Sequence, residues 1–107
     1  MESQKKALTP VEYLRSVNSS AADAFVALRR AAGTGPLDEV TCELVVLGTL
    51  AVTGQEGSFK VHAKRVLATG GDPAAIRQAV LVTLGATATF SQVVTALKWV
   101  DDVAAAA

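Results

Sequence analysis

Apolar residues fall along this chain in blocks separated by turn residues, and the blocks differ in how their apolar positions repeat. Thr9-Pro10-Val11-Glu12 reads as a helix start: threonine caps free N–H groups, proline suits the first helical position, and Glu12 completes a capping box. Ser16, Asn18, Ser19 and Ser20 cut that helix short, because their side chains compete for backbone hydrogen bonds. Ser20 with Asp23 marks a second start. The segment that follows places Ala22, Phe25, Val26 and Leu28 on an apolar face, until Gly33-Thr34-Gly35-Pro36 ends it.

Asp38 is the next expected cap, with Leu37 before it as a hydrophobic staple. From Glu39 to Thr53 the chain is apolar nearly all round, with Val40, Leu44, Val45, Val46, Leu47, Leu50, Ala51 and Val52. Dense β-branched residues fit a strand as well as a helix, but so long a run without a turn signal selects a helix buried on several sides. Gly54 breaks the run. From Glu56 to about Thr69 the pattern turns amphipathic, with Phe59, Val61, His62, Val66 and Leu67 set among Lys60, Lys64 and Arg65. Gly70 suits a left-handed cap. Asp72-Pro73 starts the helical run AAIRQAVLVTLGA, a break is expected near Thr87 to Phe90, and SQVVTALKWVDDV forms the last helix. No strand alternation appears, so the fold class is all-α.

Length and composition narrow the reading. The 107 residues fit one domain, 1–107, with residues 1–8 as a flexible tail. Half of the chain is apolar but only 5% is aromatic, so the core must be Ala, Val and Leu. So short a chain hides only about 60–70% of its unfolded surface. The apolar excess therefore predicts a homo-oligomer, with Glu39–Thr53 and residues 74–103 in the interface. The net charge is zero and no basic stripe is interleaved with aromatics, which argues against nucleic acid. No apolar run approaches the roughly 20 residues that span a bilayer, so no membrane partner is expected. MESQKKALTP has no apolar core behind its lysines and is not a secretory signal. A single cysteine, Cys42, closes no internal disulfide, which fits a cytoplasmic protein.

The stretch from Glu43 to Ile76 resembles the carboxymuconolactone decarboxylase family, which includes the alkylhydroperoxidase-D-like proteins. In that family a Glu precedes a Gly-Cys-Glu-x-Cys-x-x-x-His segment, and a Gly-x-x-x-Glu-Glu-Ile turn follows. Glu43, Gly54, Glu56 and His62 occupy the matching places, and Gly70 and Ile76 fit the turn. Gln55 and Ser58 stand where the two cysteines would be. The resemblance implies a multihelical alkylhydroperoxidase-D-like fold built round an antiparallel helical hairpin, assembled as a hexamer, a trimer of dimers. Downstream, Thr89-Phe90-Ser91 replaces the family's Gly-apolar-Pro turn.

Thiol peroxidase chemistry needs a thiolate nucleophile and a resolving thiol, which Gln55 and Ser58 do not supply. The decarboxylase branch also lacks the cysteines and keeps the histidine. Resemblance to it implies a lyase acting on a small carboxylated or lactone substrate, with His62 and Glu43 as catalytic residues. His62 is the one side chain with an ordinary pKa near neutrality. A carboxylate inside an apolar helix needs a partner, and His62 or an arginine would serve. If the helices flanking Gly54 form a hairpin, Glu43 and His62 are offset by about one turn at roughly 1.5 Å per residue. Ser58, Glu56, Lys60 and Arg65 are possible substrate-binding residues. Ser58 is one turn from His62 and is also suited to capping backbone N–H groups. No cofactor is implied, and one histidine without a second soft ligand makes no metal pattern. The alternative is a homo-oligomeric relative that binds a small ligand, or nothing, without turnover.

Overall fold

The structure, a computed structural model, describes residues 7–107. Of the expected tail, residues 1–6 lie outside the described residues, while Ala7 and Leu8 are exposed and non-helical. Among the described residues there are six helices and no strand: α1 (Pro10–Val17), α2 (Ser19–Ala32), α3 (Glu39–Thr53), α4 (Glu56–Ala68), α5 (Pro73–Leu81) and α6 (Phe90–Ala106). The all-α expectation holds. Contacts group the chain into two compact units, Met1–Pro36 and Leu37–Ala107.

The first unit is α1 packed on α2. The Thr9 box forms as expected: the Glu12 N–H donates to Thr9 Oγ1 at 3.2 Å, and the Thr9 N–H donates to Glu12 Oε1 at 2.8 Å. The second helix starts one residue earlier than Ser20. Asn18 is its cap, accepting from the Ala21 N–H at 2.9 Å, because a short carboxamide reaches the free N–H groups as a serine hydroxyl does. An ion pair between Arg15 and Asp23 links the two helices. Ala22 is the single buried side chain of this unit among the described residues.

The second unit holds the core. α3 packs most extensively on α4, then on α5, while α6 closes the far side against α4 and α5. Asp38 caps α3 through the Thr41 N–H at 2.7 Å, and the Thr41 side chain first, then this N–H, keep its carboxyl below the usual range. At the other end Gly54 takes the left-handed conformation, φ 71°, which frees the chain to enter α4. Phe59, Leu47, Ile76, Val66, Val80, Val93 and Val100 are fully buried, and the Phe59 and Trp99 rings meet at 5.4 Å. With so few aromatics, the helices must come close to exclude water. Gly48 lies at this approach on α3, where an added Cβ would sit in ordinary contact with the Ala79 carbonyl oxygen at 3.5 Å.

The C-terminal part differs from the sequence expectation. α5 stops at Leu81, and residues 82–89 form a turn in which Gly85 has φ 78°. The N–H groups of Ala86, Thr87 and Ala88 converge on the Thr83 carbonyl oxygen, so the break falls earlier than Thr87. α6 starts at Phe90, one residue ahead of the expected start. Thr89 and Gln92 form a second capping box, and Gln92 Nε2 also donates to the Val52 carbonyl oxygen at 2.9 Å, fastening α6 to the end of α3. The α4–α5 turn closes tightly on α4. Gly71 N–H donates to the Val66 carbonyl oxygen at 2.8 Å, and a Cβ there would lie 2.4 Å from Val66 Cγ1.

Two glycine substitutions should therefore have opposite effects. Gly71→Ala should cost about 1–3 kcal/mol, because the methyl displaces a buried valine. Gly57→Ala, in the first turn of α4 with open space around its Cβ, should add about 0.4–1 kcal/mol. Urea unfolding followed by circular dichroism would measure both, and equal stabilities would refute the close approach at Gly71.

Candidate functional site

Glu43 sits on the α3 face that meets α4, among half-buried neighbours Val40, Leu44 and Val46. His62 lies on α4 between the buried residues Phe59, Ala63 and Val66, which press that helix onto the core. The packing brings the two side chains together across 19 positions of sequence: His62 Nδ1 lies 2.5 Å from Glu43 Oε1. Their side chains are 16% and 17% exposed, so the contact is largely withdrawn from water. So short a separation requires a proton between the two atoms. With Glu43 ionised, Nδ1–H donates and the lone pair of neutral His62 remains on Nε2.

Arg65, one turn beyond His62 on the same helix, adds a third group. Its NH1 is 3.4 Å from His62 Nδ1 and 3.8 Å from Glu43 Oε2. Because Nδ1 is already committed to the carboxylate, the guanidinium acts on Glu43 and not as a donor to the ring. Glu43 and Arg65 face a pocket of about 180 Å³ together with Glu39, Val40, Val66 and Thr69. His62 is not part of that lining. Glu39 precedes Glu43 by one helical turn, and Thr69 follows Arg65 by one turn. Helical spacing thus held the signal for both, although neither was expected in the site.

The remaining expected residues lie elsewhere. Lys60 is clamped by Glu56 at 2.8 Å and by Asp102 of α6 at 3.1 Å. Those bonds, Glu56 first, hold its ammonium above the ordinary value of 10.5. A raised lysine contributes its stability fully below that value and loses it as pH rises through the folded pKa, so the clamp is intact at neutral pH. Ser58 is exposed in the first turn of α4, and no hydrogen bond joins it to His62 among the described residues. It does not cap the helix either; the cap position is Gln55, whose Nε2 donates to Thr53 Oγ1 at 3.2 Å. Cys42 is half-buried, with Sγ 3.8 Å from the Leu37 carbonyl oxygen. Among the described residues no group of three His, Cys, Asp or Glu side chains is placed to hold a metal ion. Among the described residues no helix is long and apolar enough to cross a membrane. A trough of about 620 Å³ between α3 and α5 contains neither Glu43 nor His62.

The pair should behave as a unit in stability. Glu43→Ala and His62→Ala should each destabilise the fold, and the double variant should cost less than their sum by on the order of 1–2 kcal/mol. A thermodynamic cycle from urea unfolding would measure this coupling. Strict additivity would mean that the 2.5 Å contact does not exist in solution.

Residues 20–102, from α2 into α6, match the model of the carboxymuconolactone decarboxylase family. No curated protein and no solved structure matches the chain.

Proposed function

Because the chain belongs to the carboxymuconolactone decarboxylase family, we propose that it is a small-molecule lyase that works by general acid–base chemistry at His62. The observation that carries this reading is the 2.5 Å contact between His62 Nδ1 and Glu43 Oε1. A carboxylate on Nδ1–H fixes the ring and its tautomer, and Nε2 is then the atom that takes a proton from the substrate and returns it. Glu43 is the positioning residue and His62 the proton carrier. The substrate is a small carboxylated or lactone compound. With Lys60 held by two carboxylates, Arg65 is the cation beside the pair that faces a pocket. It is the group for a substrate carboxylate or a lactone carbonyl, while Glu39 in the same lining disfavours a second anionic group nearby.

A second reading rests on Arg65 itself. The guanidinium near Glu43 Oε2 gives the carboxylate a further partner, as a purely structural cluster would have. In that case the molecule binds a small ligand, or none, without turnover. Thiol peroxidase activity is disfavoured, since Gln55 and Ser58 occupy the positions of the redox cysteines.

Turnover of a panel of small lactone acids, read as carbon dioxide release, separates these readings. On a processed substrate His62→Ala should lower kcat by about 10²–10⁴-fold with the fold intact, and Glu43→Gln should lower it less. The same preparation should show no dithiol-dependent peroxide reduction. A His62→Ala protein as active as the parent would end the catalytic reading, and peroxide turnover abolished by Cys42→Ala would end the exclusion of thiol chemistry.

A further inference from the structure

The pocket beside the Glu43–His62 pair is lined from α3, α4 and the residue that ends α4, all within the Leu37–Ala107 unit. Its lining carries two carboxylates, Glu39 and Glu43, against one guanidinium, Arg65. With both carboxylates ionised and His62 neutral, the lining is net negative. Glu43 is engaged by His62 and by Arg65. Glu39 is not: within the Leu37–Ala107 unit no ion pair reaches its side chain. The next cation along α4, Lys64, lines a separate hollow with Leu67 and Val103.

The hydrogen-bonding groups divide in the same way. Arg65 NH1 stands 3.8 Å from Glu43 Oε2, beyond hydrogen-bond reach, and His62 Nδ1 is committed to the carboxylate. The guanidinium donors are therefore open to an incoming carboxylate, which they can grip through two parallel N–H groups. Thr69 is the converse. Its Oγ1 donates to the Val66 carbonyl oxygen at 3.0 Å, so its proton is committed and it can only accept from a ligand. The pocket thus donates at Arg65 and accepts at Glu39 and Thr69. Along α3, Glu39 precedes Glu43, the partner of Arg65, by one helical turn, about 6 Å.

We propose that this pocket takes a small molecule carrying one carboxylate and one cationic amine about a helical turn apart. The carboxylate sits on Arg65 and the amine on Glu39 and Thr69, which makes Glu39 the specificity-determining residue. A carboxylate on Arg65 adds charge to a lining that is already negative. An ammonium on Glu39 cancels that addition, whereas a second carboxylate would meet Glu39 directly. A hydroxyl could donate there but would leave the charge uncancelled. Arg65 keeps the carboxylate-binding role proposed for the lyase, on which this assignment rests, and no turnover at His62 is required. Glu39 also stands in the first turn of α3, where a carboxylate suits the positive helix end. That role alone would let Glu39→Gln alter stability without changing which ligand binds.

Three probes of similar length separate the cases: δ-aminovalerate, hexanoate, in which a methyl replaces the ammonium, and glutarate, with a second carboxylate. Binding to the full chain at neutral pH and fixed ionic strength would be followed by NMR shifts of the Glu39, Glu43, Arg65 and Thr69 amides. The net charge of the protein is zero, so no overall field ranks the probes. δ-Aminovalerate should bind about two- to five-fold tighter than hexanoate, the range of a solvated ion pair, and glutarate weaker than hexanoate. Glu39→Gln should bring δ-aminovalerate and hexanoate level, and Glu39→Lys should put glutarate first, with circular dichroism unchanged. Arg65→Gln should weaken all three. Glutarate binding tighter than δ-aminovalerate to the parent chain, or an order unchanged by both Glu39 substitutions, would overturn the proposal while leaving Arg65 as a carboxylate group. Affinities indifferent to Arg65→Gln, or no shift with any probe, would overturn both.

Discussion

A carboxylate placed in the apolar face of a packed helix is the constraint on which the centre of this molecule depends. Glu43 is 17% exposed, and an ionised oxygen there is tolerable only with a hydrogen-bond donor at hand. His62 supplies it, and supplying it fixes the register between α3 and α4. Phe59, Ala63 and Val66 set the rotation of α4, Gly54 sets its entry, and the ring nitrogen then meets the carboxylate at 2.5 Å. The same contact that removes the electrostatic penalty leaves Nε2 as the lone-pair nitrogen. Structural need and chemical potential arise from one hydrogen bond.

The scarcity of aromatic side chains shapes the rest. A core of Ala, Val, Leu and Ile around the Phe59–Trp99 pair fills space only if helices approach closely. Gly71 lets the α4–α5 turn fold onto Val66. Close approach inside leaves apolar surface outside. The outer sides of α3 and α5, with Val45 and Val82, are not needed by the core of their own chain.

Much of this was legible in the residues, and the failures have physical causes. Thr9, Asp38, Gly54 and Asp72-Pro73 marked their helix ends, because capping is local chemistry between a side chain and the backbone beside it. Asn18 was passed over in favour of Ser20, two good caps in one polar run. The Thr89–Gln92 box carries the standard signature inside a run, Thr89-Phe90-Ser91, that also reads as a turn. Periodicity alone carried α5 beyond Leu81, since Val82 and Leu84 continue the apolar pattern after the hydrogen bonds have left it. The Glu43–His62 contact followed from helical register and resemblance together. Arg65 was named for its charge, but its approach to both partners depends on side-chain rotamers, which spacing does not encode. For the same reason Lys60 stood among the possible substrate-binding residues, when Asp102, 42 positions away, holds it.

The sole histidine makes the central claim directly measurable. Nitrogen-15 NMR of the uniformly labelled protein, at a pH where the ring is neutral, reports which ring nitrogen carries the proton without assignment ambiguity. A single tautomer protonated at Nδ1 is expected, with the proton shifted far downfield by Glu43, and loss of that preference in Glu43→Ala. A ring protonated at Nε2, or a mixture insensitive to Glu43, would contradict it.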